Sequence, residues 1–357
     1  MSSLIDQQFM TTALALAVRG LGDTWPNPAV GCVIVKDGMV VGRGWTQSGG
    51  RPHAETEALR RAGSAAKGAT AYVSLEPCSH HGKTPPCADA LIAAGVLRVV
   101  SATTDPDPRV SGQGLAALRQ AGIEVVEGVG KAEADKLNAG FFSRVTKQQP
   151  LFALKTATSL DGRIALASGE SKWITGEQSR HAVLALRAKF DAILVGSETV
   201  LQDDPELTCR LAGYGGRPKL RIVLDRRLRT SVDRKLIQTA KSIPTWIYTT
   251  QKPSSVIESS GANIITVEGD FITGVAADLA AKGITRVLIE GGGQIAAAFL
   301  KLGLISDIYW FRGAQVLGGD ARAGVAGLSL DHLAAAPHFK REQSLRLGQD
   351  FLEILSQ

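Results

Sequence analysis

Residues 69–101 read ATAYVSLEPCSHHGKTPPCADALIAAGVLRVVS, and this stretch decides the fold of the N-terminal half. The β-rich run Ala69 to Leu75 predicts a strand, Cys87 to Ala94 a helix, and Arg98 to Ala102 a second strand. Upstream, GCVIVKDGMVVGRGW (31–45) holds two β-branched runs joined by Asp37-Gly38, a pair suited to a two-residue primed hairpin turn. A helix is expected from Asp6 to Arg19, with Asp6 as N-cap, and another from Ala54 to Ala65. Downstream follow a helix at Leu115 to Ala121, a strand at Val125 to Glu127 and a helix from about Lys131 to Ser143. Strands alternating with helices of this length predict a mainly parallel sheet covered on both faces.

The polar stretch TKQQP, ending in Pro150, precedes a fresh strand and places a domain boundary at about 147, giving domains 1–147 and 148–357. The second half predicts strands at Leu151 to Thr158, Ala192 to Gly196, Leu220 to Leu224, Thr245 to Thr249, Arg286 to Glu290 and Asp307 to Phe311. Helices fall at Gln178 to Lys189, Ile272 to Ala281 and Ile295 to Leu300, so this is a second α/β domain. A length of 357 residues agrees with two domains. With 44% hydrophobic and 21% charged residues, the composition is that of a chain able to bury a core. The net charge of +6 is mild and dispersed, which favours anionic small molecules over a dedicated nucleic-acid surface. Four cysteines cannot build a disulfide scaffold. No secretory signal is visible in MSSLIDQQFM, and the most apolar long stretch, Ile284 to Leu304, is interrupted by Arg286, Glu290, Lys301 and glycines.

The chemical signal is His53-Ala54-Glu55, then Pro77-Cys78, then Cys87. H-x-E with two later cysteines marks zinc deaminases of bases, although the eight residues between these cysteines exceed the usual spacing. Cys78 ends a strand and Cys87 starts a helix, so a loop can return the second thiolate to the same metal. One imidazole and two thiolates balance the zinc charge and leave a fourth position for water, whose pKa falls to about 7. Glu55, two residues from a ligand, is suited to shuttle protons to the ring and the departing ammonia. Taken singly these residues have duller readings: His-x-Glu as a solvated helix start, Cys32 as core, His80 and His81 as surface or substrate contacts. The joint pattern favours hydrolytic deamination.

Around it stand NPAVGC (27–32), GRPHAETEAL, EPCSHHGKTPPCADAL and DPDPRVSGQG, and in the second half LKTATSLDGRIA, SGESKWITGE, DAILVGSETVLQDDPELTCR and VLIEGGGQIAAAF. In that order they resemble the bifunctional RibD family of riboflavin biosynthesis, over about Phe9 to Ile354. The resemblance implies a cytidine-deaminase-like three-layer domain followed by a dihydrofolate-reductase-like α/β domain. It implies deamination of 2,5-diamino-6-(5-phosphoribosylamino)pyrimidin-4(3H)-one, then NADPH-dependent reduction of the ribosyl group to ribityl. His53, Cys78 and Cys87 become ligands of one Zn2+, Glu55 the proton shuttle, Asn27 a pyrimidine contact and Lys83 the phosphate contact. Many members carry His at Thr46 and Asn at Asp107, departures that bear on how phosphate and ring edges are held. The expected partners are the small phosphoribosylaminopyrimidine and further copies of the chain, with no nucleic acid and no membrane, in the cytoplasm.

In the second domain, strand Arg286 to Glu290 runs into Gly291-Gly292-Gly293, a strand-to-helix turn where backbone N–H groups can approach a phosphate. A glycine turn alone is usually only a turn. The resemblance makes Gly292, Gly293, Gln294, Ile295, Ala296, Ala297 and Ala298 NADPH contacts, with Ala157, Trp173, Thr199 and Asp203. It makes Ser171, Arg187, Leu207, Arg210 and Glu290 substrate positions. The rival readings are a tRNA or nucleoside deaminase with an accessory domain, disfavoured by 5% aromatic content and no basic stripe, and a second half turned binding or regulatory module.

Overall fold

The computed structural model describes residues 3–80, 85–108, 110–252 and 255–357. The chain divides into two units, Met1–Gln149 and Pro150–Gln357, each with its own sheet. The division falls two residues beyond the boundary expected from the polar stretch.

The first unit runs α1 (Leu4–Ala17), β1 (Gly31–Lys36), β2 (Met39–Trp45), α2 (Ala54–Ala62), β3 (Thr70–Val73), α3 (Cys87–Ala93), β4 (Arg98–Ser101), α4 (Gln113–Gln120), β5 (Glu124–Glu127), α5 (Lys131–Leu137) and α6 (Ala139–Lys147). Its sheet has the order β2-β1-β3-β4-β5. Only β3–β4 and β4–β5 are parallel; β1 is antiparallel to both neighbours. The mainly parallel sheet expected for this half is therefore a mixed one. The cause is local: Asp37 and Gly38 both take positive φ, and the hairpin folds β2 back on β1. Successive residues of β1 enter opposite cores. Cys32 and Ile34 pack with Ala54, Ala58 and Leu91, whereas Val33 and Val35 pack with Met10, Leu16 and Val100. Helices on both faces explain why that strand is apolar without alternation, and they give three layers.

Two expectations change here. Helix α1 begins earlier, with Ser3 as N-cap, and Asp6 closes a capping box with it. Asp6 is buried because its carboxylate also accepts from Arg98 at 2.7 and 3.0 Å and from the Tyr72 hydroxyl at 3.0 Å, which pins α1 to β3 and β4. The single helix expected from Lys131 to Ser143 is two, broken at Asn138. The Asn138 side chain pairs with both backbone groups of Ala29 at 3.0 Å.

The second unit contains β6 (Leu151–Thr158), β7 (Arg163–Ala165), α7 (Glu177–Ala188), β8 (Ala192–Gly196), α8 (Ser197–Asp203), β9 (Leu220–Leu224), α9 (Lys235–Gln238), β10 (Thr245–Thr249), α10 (Ser255–Glu258), β11 (Asn263–Thr266), α11 (Phe271–Ala281), β12 (Arg286–Ile289), α12 (Gly293–Lys301), β13 (Ile305–Arg312), β14 (Arg322–Ala323), β15 (Lys340–Leu347) and β16 (Asp350–Ser356). Nine strands form one sheet in the order β11-β10-β9-β8-β12-β6-β13-β16-β15. From β11 to β13 every pairing is parallel; β16 and β15 finish the sheet antiparallel. Among the described residues no helix is long and apolar enough to cross a membrane.

The Asp6–Arg98 pair yields a testable consequence. The arginine holds the Asp6 carboxyl well below its usual value near 4, against the opposing effect of burial. A group with a depressed folded pKa contributes its full stability above the unfolded value and loses it as pH falls through the folded one. Asp6→Asn should cost about 2 kcal/mol at pH 7, discounted because Arg98 is partly exposed. Thermal unfolding at pH 7 and pH 3 should show that the variant loses less stability on acidification than the parent.

Candidate functional site

His53 is the N-cap of α2, Cys78 follows the end of β3, and Cys87 is the first residue of α3. Their donor atoms all lie within 4.8 Å of one another. His53 Nδ1 is 3.3 Å from Cys87 Sγ and 3.6 Å from Cys78 Sγ. Tetrahedral zinc with usual bond lengths separates N and S ligands by about 3.5 Å, so this donor set fits the ion. The Nδ1 atom faces the sulfurs; the buried Nε2 has no hydrogen-bond partner. The helix start at Cys87 donates its N–H to Cys78 Sγ at 3.3 Å, as expected of amides that stabilise a thiolate. Cys78 is drawn down to about 4, chiefly by the hydrogen bond with the Cys87 thiol, and Cys87 is pushed up by the same contact. His53 is raised, first by its bond to Cys78.

Glu55 is 3% exposed, and burial raises its carboxyl to about 7 despite the opposing charge of His53. A carboxyl near neutrality beside three metal donors can both accept and release a proton. Cys32 is a buried core residue, as the sequence implied.

The Cys78 segment is held from below. Glu76 accepts backbone N–H groups from Asp105, Gly112 and Gly114 at 3.2, 2.9 and 2.9 Å. A Cβ on Gly114 would lie 1.9 Å from the Pro77 carbonyl oxygen, so only glycine lets α4 pass under Pro77 and Cys78. A cavity of about 260 Å³ opens over these groups, and Asn27, His80, Thr46 and Asp107 line it. Asn27 Nδ2 donates to the Gly50 carbonyl at 2.8 Å, and Thr46 Oγ1 accepts from Val30 N–H at 3.0 Å. Lys83 and His81 lie outside the described residues. Sequence reasoning missed Glu76, Asp105, Arg51 and Arg144 in this cavity wall. Asp105 is raised to about 6 by burial. The DPDP run offered a signal for Asp105; a single arginine in α6 offered none.

In the second unit the structure joins three expected residues. Arg187 on α7 forms a bidentate pair with Glu290 at 2.6 and 2.9 Å, and donates to the Thr208 carbonyl at 2.8 Å, beside Leu207. Leu207 is buried with a positive φ of 51°. Lys155 was missed. It lies inside the apolar strand β6, and burial lowers its pKa against the pull of Glu290. Other expected residues are not gathered so closely. Arg210 is exposed and paired with Glu206 at 2.8 Å; Asp203 is exposed; Trp173 is 67% exposed with the Arg180 guanidinium 4.5 Å from its ring centroid. Ser171, Ala157 and Thr199 are half-buried.

At the glycine turn, Gly292 is the N-cap of α12 with ordinary extended angles, and a Cβ on it would meet nothing within 4 Å. That open face above a helix N-terminus suits a pyrophosphate. Gly293 differs: its Cβ would sit 2.4 Å from the Ala323 carbonyl oxygen. Ala296 and Ala297 point into the core, and Ile295 and Ala296 already donate their N–H groups to Gly292 O.

Residues 150–352 match the family model described as the RibD C-terminal domain, and residues 4–103 that of the cytidine and deoxycytidylate deaminase zinc-binding region. The chain is 44% identical to riboflavin biosynthesis protein RibD of Escherichia coli, over 97% of each chain, and 39% identical to that of Aquifex aeolicus, over 98% and 97%. It is similar to the solved structure of Acinetobacter baumannii RibD, form 1, with a TM-score of 0.92 and 40% identity over 99% of this chain and 98% of that one. A Thermotoga maritima diaminohydroxyphosphoribosylaminopyrimidine deaminase/5-amino-6-(5-phosphoribosylamino)uracil reductase aligns with a TM-score of 0.88 and 36% identity over 99% and 98%.

Two outcomes check these sites. Cys78→Ser and Cys87→Ser each replace a thiolate by a neutral hydroxyl, and metal analysis should find zinc well below one per chain in both; full occupancy would mean that other residues hold the ion. Gly292→Val should keep the parent melting temperature and raise the KM for NADPH about tenfold. Gly293→Val should lower the melting temperature by about 4–8 °C through its backbone collision.

Proposed function

The chain belongs to the RibD family of riboflavin-biosynthesis enzymes, and on that premise we propose that His53, Cys78, Cys87 and Glu55 form its deaminase site and the Arg187–Glu290 region its reductase site. The enzyme is bifunctional. It deaminates 2,5-diamino-6-(5-phosphoribosylamino)pyrimidin-4(3H)-one and then reduces 5-amino-6-(5-phosphoribosylamino)uracil to the ribitylamino product. When bound, zinc makes water nucleophilic near neutral pH, and NADPH supplies a hydride.

The observation that carries the first assignment is the buried Glu55 beside three donors spaced for a tetrahedral metal. Its carboxylate takes one proton from the attacking water and passes it to the ring nitrogen, then takes the second proton from the newly added hydroxyl and delivers it to the amine as the C–N bond breaks, leaving a carbonyl and ammonia. The low exposure of the site keeps bulk water from competing for that proton. His53 and the two cysteines hold the metal. Asn27 bounds the pyrimidine, and Lys83 is assigned to its phosphate.

In the second unit, the open face at Gly292, with the amides of Gly293 and Gln294, receives the NADPH pyrophosphate; Ile295, Ala296, Ala297 and Ala298 continue the helix behind it. Ala157, Trp173, Thr199 and Asp203 complete the cofactor contacts. Arg187, Glu290, Ser171, Leu207 and Arg210 bind the phosphoribosyl substrate. Lys155, a half-buried ammonium near the Arg187–Glu290 pair, is the group suited to give a proton as the sugar accepts hydride.

Glu55→Gln tests the division of labour. The variant should keep its zinc and lose about a hundred- to ten-thousandfold in deamination rate. Supplied with 5-amino-6-(5-phosphoribosylamino)uracil, it should oxidise NADPH at the parent rate. A tenfold slowing on that supplied intermediate would contradict two independently working units.

A further inference from the structure

We propose that Asp161 is a positioning residue of the reductase site: its carboxylate ties the 313–326 segment to the end of β6, and that segment sets the backbone at the glycine turn and beside Trp173. The proposal rests on the reading of the glycine turn as the NADPH site. Asp161 stands in the loop between β6 and β7. Its Oδ1 accepts the Ser159 hydroxyl at 2.6 Å and the Leu317 N–H at 3.1 Å, and its Oδ2 accepts the Gly318 N–H at 2.8 Å. Two consecutive amides of a distant segment on one carboxylate form a charge-assisted clamp. These donors, the Ser159 hydroxyl first among them, hold the Asp161 carboxyl down at about 2, so the clamp stays charged near neutral pH.

Apolar packing does little for the tip of the clamped segment. Ala314, Gln315, Val316, Gly319 and Asp320 are exposed, Val316 to 67%, so hydrogen bonds set where this stretch lies. On either side of the tip, the segment touches backbone assigned to the cofactor. At its start, Gln315 Nε2 donates to the Ile174 carbonyl at 3.2 Å, and a Cβ on Gly313 would lie 2.3 Å from that same oxygen. The segment therefore presses on the chain next to Trp173. At its far end the Gly324 N–H meets the Gly162 carbonyl at 2.9 Å, and the Ala326 N–H meets the Gly293 carbonyl at 3.0 Å. Gly293 opens α12, and its amide is one of those assigned to the pyrophosphate. The 313–326 segment thus joins the β6 loop, the Trp173 backbone and the start of α12, and Asp161 fixes its middle. A hydrogen bond weakens steeply as its donor turns away, so releasing the tip costs cofactor affinity while Arg187 and Glu290 keep their own pairing.

The test compares Asp161→Ala, Asp161→Asn and Asp161→Glu with the parent as full-length enzymes. Calorimetric titration gives the Kd for NADPH, reductase kinetics give both KM values, and melting temperature and amide hydrogen exchange are measured for each. In Asp161→Ala the Kd and KM for NADPH should rise about five- to tenfold, with less than about twofold change in the KM for 5-amino-6-(5-phosphoribosylamino)uracil. Its melting temperature should fall by no more than about 3 °C, and exchange at Leu317, Gly318 and Ala326 should speed up. Asp161→Asn keeps one acceptor and turns an NH2 toward the second amide, so it should approach the alanine variant. Asp161→Glu keeps both acceptors on a longer arm and should recover part of the loss. Variants that bind NADPH as the parent does would overturn the proposal alone. So would equal rises in both KM values together with a large fall in melting temperature, which would make Asp161 a support of the fold. A parent that fails to bind NADPH would overturn the cofactor reading of the glycine turn and this proposal with it.

Discussion

Three donors from separate parts of the chain converge to within 4.8 Å of one another, close enough to bond one metal ion, and the first unit is arranged around that demand. His53 arrives at the start of α2, Cys78 beyond the end of β3, and Cys87 at the start of α3. Thiolates placed at helix starts are stabilised by the amides there, as the Cys87 N–H contact with Cys78 illustrates. The support beneath is equally specific. Glu76 spends its buried charge on four loop and helix amides, and Gly114 brings α4 against the Pro77 carbonyl. Both fix where Cys78 stands.

The second unit solves a comparable problem with parallel strands. In an open parallel sheet the carboxyl ends of the strands form the binding edge. Here β12 ends at the glycine turn before α12, and Glu290 at that point meets Arg187 from α7. Strand β6 contributes Lys155 from within its run. The two neighbouring glycines differ: Gly292 leaves an open face above the helix start, and Gly293 lets α12 press against the Ala323 backbone.

Much of this was legible in the sequence because the governing signals are short. The zinc donors and Glu55 sit in compact motifs, and the parallel strands Leu151–Thr158, Ala192–Gly196, Leu220–Leu224 and Thr245–Thr249 are buried apolar runs bounded by polar segments. What escaped depends on long-range contacts. β15 is exposed along KREQSLRL and shows no apolar alternation, so it does not read as a strand. The break at Asn138 follows from pairing with Ala29, 109 residues away. Asp6 looked like a cap because its burial by Arg98 and Tyr72 is invisible in the local sequence. The mixed sheet of the first unit follows from a hairpin whose turn was visible, but whose effect on β1's other neighbour was not. Lys155 and Arg144 were missed for the same reason: a lone cation in an apolar strand or an amphipathic helix acquires meaning only from the charges the fold brings to it.

The central claim is that one chain performs two successive reactions, hydrolysis at the zinc donors and reduction at the glycine turn. Mass spectrometry of the product made from the diaminopyrimidine substrate tests it directly. Without NADPH the product should be the deaminated uracil with its ribosyl group intact; with NADPH it should gain two further hydrogens in that same sugar. A product that NADPH leaves unchanged, or a reduced sugar on a pyrimidine that still carries its 2-amino group, would contradict the account.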